Sequence, residues 1–191
     1  KKIEDLKSQL KSNEFKEKKL GISEIMATDI ISVYEAEIAR HWRKIIRDIE
    51  IPFYIYSGKI IQNYQLGCGL FIREKDNYEK SIMFVSGIEN DHDAINYLSS
   101  GQLSGLVIAF TLALNKVYEN KSLGVLLIDD PVQTMDEINI ASFVELLRND
   151  FSQKQIVLST HEEEISKYIR YKFSKYGLKT KRINVKNQLY K

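Results

Sequence analysis

Two adjacent carboxylates stand at the end of an apolar run, where Val125-Leu126-Leu127-Ile128 leads directly into Asp129-Asp130-Pro131. Continuous apolar runs mark strands buried on both faces, so these acids should emerge at the carboxyl edge of a sheet, over a crevice. One acid placed there can hold Mg2+ through oxygen, directly or through water, while its neighbour polarises a water for attack on a phosphoryl group. An Asp-Asp-Pro cap opening the next helix would use the same residues and need no ligand.

Two further segments have chemical potential. Leu98-Ser99-Ser100-Gly101-Gln102 runs without a break into the amphipathic stretch Leu103 to Val117. Small residues at a helix start leave backbone N–H groups free, and their partial positive charge favours an anion such as phosphate. A plain serine N-cap beside a loop glycine is the alternative reading. Downstream, Ile156-Val157-Leu158-Ser159-Thr160-His161 is a second apolar run with a polar end, followed by Glu162-Glu163-Glu164. His161 can hydrogen-bond a terminal phosphate or an attacking water, or serve only structurally. His41 and His92 have no comparable context.

The elements that position these residues follow from periodicity. Residues 1 to 20 are rich in Lys, Glu, Ser and Leu, with Ile3, Leu6 and Leu10 on one helical seam that Gly21 should interrupt. From Ser23 to Ile49 apolar residues recur at three and four, which predicts a long helix that Pro52 should stop. Phe53 to Tyr56, Ile60 to Tyr64, Leu66 to Arg73 and Ser81 to Val85 are β-branched and aromatic, and predict an antiparallel β-meander with turns at Ser57-Gly58 and Lys75 to Asn77. Beyond Asn96 the pattern predicts helix 102–119, strand 124–128, helix 136–149, strand 155–159, helix 162–174 and strand 181–189. Such alternation implies an α/β fold with parallel strands and covering helices.

Composition bounds the function. With 191 residues, 43% of them hydrophobic, and eleven Tyr and eight Phe, the chain can bury a core and is not of the disordered class. The single cysteine, Cys68, excludes an internal disulfide and fits a reducing cytoplasm, and three scattered histidines give no zinc spacing. No apolar run approaches the roughly 18 residues of a bilayer span, so no membrane role is expected. The formal net charge of +2 conceals a basic end, because no acid follows Glu164 while nine Lys and Arg do. Such an end can meet DNA phosphates or an acidic partner, or be solvated surface. The chain opens on Lys1 inside a charged helical pattern, as a piece of a longer protein would.

In order and spacing these segments resemble the ABC-type ATPase heads of the SMC family and of the related double-strand-break repair ATPases. Leu98 to Gln102 is similar to their signature motif, Val125 to Asp130 to their Walker B strand, Thr134-Met135-Asp136 to their D-loop, and His161 to their switch histidine. The resemblance is sharpest over residues 97–162 and implies the C-terminal lobe of a head over residues 23–191, after a coiled-coil stump at 1–22. It implies ATP and Mg2+ as cofactors, and a homodimer of heads in which Ser99, Ser100, Gly101 and Gln102 meet the nucleotide of the opposite subunit. In the same picture Asp129 serves Mg2+ in cis, Asp130 activates the lytic water, His161 senses the γ-phosphate, and Asp136 links the two sites. DNA and a nuclease subunit are the partners it suggests, in repair, chromosome maintenance or anti-phage defence, with a nucleoid association if the source is bacterial.

Two departures qualify the resemblance. Asp130 stands where the family uses glutamate, and one methylene less can leave a water about 1 Å out of line and slow turnover. No G-x-x-x-x-G-K-S/T loop occurs, so the α- and β-phosphates need an N-terminal Walker A lobe, in cis or from another chain. An ATP-dependent clamp or sensor with negligible hydrolysis is therefore the alternative to an ATPase. A phosphoacceptor signalling domain would need another Asp at a later strand end, and residues 151–191 contain none.

Overall fold

The computed structural model describes residues 2–62, 69–75, 81–87, 92–119 and 124–186. Contacts divide the chain into two units, Lys1–Arg47 and Asp48–Lys191. The first unit is helical throughout its described length, within helix α1 (Lys2–Ile61), and exposes Ile3, Leu6, Leu10, Ile30 and Ile38 along it. Gly21 does not interrupt the helix, contrary to the expectation above.

Pro52 does not end it either. Proline inside a helix removes one hydrogen bond and crowds the preceding turn, at a cost of about 3 kcal/mol. That cost is offset because Ile49, Phe53, Tyr56 and Ile60 recur at four, three and four residues and are all buried. Each such side chain contributes about 1.5–3 kcal/mol when fully buried. The strands expected at Phe53–Tyr56 and Ile60–Tyr64 are thus helical as far as Ile61, and Ser57-Gly58 lies within the helix rather than in a turn. Residues 63–68, with Cys68 and part of the expected third strand, lie outside the described residues, as do Asp76 and Asn77 of the second turn.

Among the described residues the meander is one antiparallel pair, β1 (Phe71–Glu74) with β2 (Ile82–Val85), in which Phe71 faces Val85 and Glu74 faces Ile82. It is fastened to α1 by aromatic contacts. Phe84 lies 5.3 Å from Phe53, and Phe110 from the next helix stands 5.9 Å from Phe53 and 6.0 Å from Phe84.

The second half follows the predicted alternation closely. Helix α2 (Ser100–Val117) precedes β3 (Val125–Asp129), α3 (Glu137–Asp150), β4 (Gln155–Ser159) and α4 (Glu163–Lys175). Strands β3 and β4 are parallel, with Val125 opposite Gln155 and Asp129 opposite Ser159. The strand expected at 181–189 is not formed over its described part, 181–186. Helix α4 leans on α3 through the ion pair of Lys172 with Glu145, which Arg148 of α3 also contacts, and these cations, Lys172 first, hold the Glu145 carboxyl below its usual range.

One face of the parallel pair departs from expectation. Leu126 is 3% exposed, yet its neighbour Leu127 is 74% exposed and the paired Val157 49%. The apolar run that predicted burial on both faces is covered on one face only among the described residues.

Candidate functional site

The carboxyl ends of β3 and β4 bring three of the expected residues together. Register places Asp129 beside Ser159, and the Ser159 hydroxyl donates to Asp129 Oδ1. The Asp130 N–H is shared between the Ser159 carbonyl at 3.2 Å and the Ser159 hydroxyl at 3.0 Å. At Asp130 the chain turns left-handed, with φ of 39°, a region that Asp and Asn tolerate better than most residues. The turn aims the carboxylate at the next strand's exit, where His161 Nδ1 lies 2.7 Å from Asp130 Oδ2. A carboxylate only accepts, so Nδ1 carries a proton, and Nε2 stands free on a ring that is 60% exposed. Thr160 supports the turn into α4 by accepting the Glu162 N–H at 3.1 Å.

Asp130 Oδ1 is buried and has no hydrogen-bond partner among the described residues. Such an oxygen costs about 1–3 kcal/mol when left unpaired, and in functional sites it is where a water or substrate group docks. The helix-cap reading of Asp-Asp-Pro does not hold, because Pro131 to Thr134 form a turn and the next helix is capped by Asp136.

The donor set suits Mg2+ without forming a cage. Among the described residues no cluster of three or more Asp, Glu, His or Cys is present, and the strand edge offers one exposed carboxylate, Asp129, with a hydroxyl beside it. Mg2+ is bound through one or two carboxylates plus substrate phosphates, so this set fits it and does not suit Zn2+.

The second expected site sits at the start of α2. Ser99 is exposed and forms a capping box: its hydroxyl accepts from the Gln102 N–H at 3.3 Å, and Gln102 Oε1 accepts from the Ser99 N–H at 3.0 Å. The N-cap reading is therefore correct as geometry, and it leaves the serine proton available to donate outward. The N–H groups of Ser100 and Gly101 lie in the first turn, where a helix supplies no partner. Gly101 is buried because it presses on the loop after β3, where a Cβ in its place would stand 2.3 Å from the Thr134 carbonyl oxygen. Ser104, one turn on, meets Thr134 hydroxyl to hydroxyl at 2.7 Å. The segment similar to a signature motif and the segment similar to a D-loop thus form one packed unit.

Asp136 closes that loop as the N-cap of α3, accepting from the Asn139 N–H at 2.8 Å. Replacing Asp136 with alanine is expected to lower stability by about 1 kcal/mol, read as a shifted urea midpoint with unchanged slope. Ser159, Thr160 and Ser104 were not singled out from sequence. Only the strand register and the helix–loop contact reveal them.

The chain is 34% identical over 103 residues to a DNA double-strand break repair Rad50 ATPase of Aeropyrum pernix, a match that covers 52% of this chain and 11% of that protein. This chain therefore spans about a tenth of that relative's length. No family model matches. Similar solved structures include an Smc head bound to the C-winged helix domain of ScpA, 16% identical with a TM-score of 0.45, which covers 66% of this chain and 37% of the other. Another, from a study of ATP-driven dimerisation and DNA-stimulated activation of SMC ATPases, is 17% identical with a TM-score of 0.47, covering 69% and 75%. The sequence likeness, with the order of the motifs, supports an SMC/Rad50-type ATPase head region: an α/β head piece preceded by a helix.

Proposed function

We propose that this chain is the C-terminal part of an ATPase head whose nucleotide-driven pairing opens and closes a DNA-binding assembly. The observation that carries this reading is the strand edge, where Ser159 holds both the Asp129 carboxylate and the Asp130 N–H, Asp130 holds His161, and Asp130 Oδ1 has no partner among the described residues. Asp129 would hold Mg2+, which when bound would neutralise charge on the phosphate oxygens. Asp130 Oδ1 accepts a proton of the attacking water and orients it, while His161, held by Asp130 Oδ2, turns Nε2 toward the γ-phosphate side. The start of α2, with Ser99, Ser100, Gly101 and Gln102, offers N–H and O–H donors to the nucleotide of a second head, and Asp136 fixes the loop beside it.

The bare face around Leu127 and Val157 supports a missing lobe that carries the phosphate-binding loop, supplied in cis or by another chain. The partners under this proposal are a second head, DNA, and in a repair setting a nuclease subunit. The setting is cytoplasmic, in keeping with one cysteine in the chain.

The second reading, an ATP-dependent clamp with negligible hydrolysis, is favoured by one feature: Asp130 is short and already engaged with His161. Asp130→Glu in the full-length protein separates the two. A working hydrolase is expected to change its turnover by no more than about threefold, because a longer side chain reaches the water but fits the left-handed backbone less well. A large gain in steady-state ATP hydrolysis would instead establish the clamp, and loss of ATP binding in the parent protein would refute both.

A further inference from the structure

The geometry points to Ser159 as a positioning residue that sets the magnesium-facing carboxylate, a role that rests on the ATPase reading above. Its hydroxyl performs two tasks at once. It donates its only proton to Asp129 Oδ1, and its lone pair accepts the Asp130 N–H at 3.0 Å. Asp129 has no other hydrogen bond described to its carboxylate, and the residue is exposed, so without this donor its side chain is free to sample several rotamers in water. The serine removes that freedom and leaves Oδ2 as the carboxylate oxygen without a described partner.

The two links differ in redundancy, and the difference shapes the consequences of losing the hydroxyl. The Asp130 N–H keeps the Ser159 carbonyl at 3.2 Å whatever side chain occupies position 159, so the left-handed turn and its contact with His161 survive. Asp129 Oδ1 has no such reserve. Loss of the hydroxyl therefore acts on Asp129 and on the cation, with little effect on Asp130, His161 or the fold. Partners that orient a ligating carboxylate in this way are worth about 10–100-fold in metal affinity.

The test uses the full-length protein with saturating ATP and Mn2+ as a reporter of the Mg2+ site, free Mn2+ being counted by electron paramagnetic resonance. Ser159→Ala is expected to weaken Mn2+ binding about tenfold, with the melting temperature in the absence of nucleotide unchanged. Ser159→Thr keeps the hydroxyl and is expected to bind Mn2+ as the parent does, while Ser159→Val, matched to threonine in shape, behaves like the alanine variant. Equal Mn2+ affinity in the threonine and valine variants overturns the role of the hydroxyl. Asp129→Asn serves as the reference. If it leaves Mn2+ binding unchanged, the magnesium role of Asp129 itself is wrong and the proposal falls with it; if it abolishes binding while Ser159→Ala does nothing, only the positioning role is lost.

Discussion

Gly101→Ala is expected to destabilise the protein even when no nucleotide is present, and to abolish ATP-driven pairing of heads. The added methyl would stand 2.3 Å from the Thr134 carbonyl oxygen, 3.3 Å from its carbon and 3.5 Å from the Met135 Cα. All three are backbone atoms, so no rotamer change relieves the clash, and either α2 or the loop must move. Overpacking of this kind costs about 1–3 kcal/mol, which in a domain of this size lowers the melting temperature by about 2–4 °C per kcal/mol. Gly105 is the internal control on the same helix. A Cβ there meets the Cγ2 methyl of the buried Ile60 at 3.0 Å, a side chain rather than backbone, and alanine is favoured over glycine in a helix interior by about 1 kcal/mol, so Gly105→Ala should cost less than Gly101→Ala. The contrast matters because glycine at position 101 has two explanations. Close approach of a phosphate predicts an unchanged melting curve without ATP, whereas close approach of the Thr134 carbonyl predicts a lowered one. A melt of both variants without nucleotide, followed by sedimentation with ATP, reads each effect separately.

Why some elements were legible and others not comes down to which signal dominated locally. The stretch from α2 to α4 was read almost to the residue because each strand is a short apolar run bounded by polar residues, and α2 and α3 each carry a side-chain cap, Ser99 and Asp136. Around Pro52 the same approach failed. Phe53 to Tyr56 is aromatic and β-branched, and a proline precedes it, so local propensity pointed to a strand; the spacing of Ile49, Phe53, Tyr56 and Ile60 pointed to a helix, and burial against Phe84 and Phe110 decided the outcome. Tertiary packing overrides weak propensity in this way whenever several large side chains share one face. At the strand edge, Asp129, Asp130 and His161 were legible because their chemistry is uncommon at the end of an apolar run. Ser159 was not, since a serine two residues before a histidine has no meaning until the register sets it beside Asp129. Gly101 was read as a place for phosphate to approach, and its contact with Thr134 joins segments too far apart in sequence for any local pattern to show.

The largest gap between sequence and structure, the bare face of β3 and β4, is also the most informative. A leucine in mid-strand at 74% exposure, beside a paired valine at 49%, costs about 25 cal/mol for every square ångström of apolar area left in water. Nothing in a parallel sheet requires that loss, and parallel strands are covered on both faces in nearly every α/β protein. Among the described residues nothing covers that face, and under the proposal above the cover is the second lobe of the head. Leu127→Glu therefore should behave differently in two settings. In the 191-residue chain the substitution places a charge on surface that water already reaches, and its effect should stay within about 0.5 kcal/mol. In the full-length protein the same carboxylate would be buried without a partner, at a cost of at least about 3 kcal/mol. Denaturant unfolding of both forms measures the difference directly. Equal sensitivity in the two would mean that the face remains open in the complete protein, and the reading of this chain as one part of a larger head would lose its structural support.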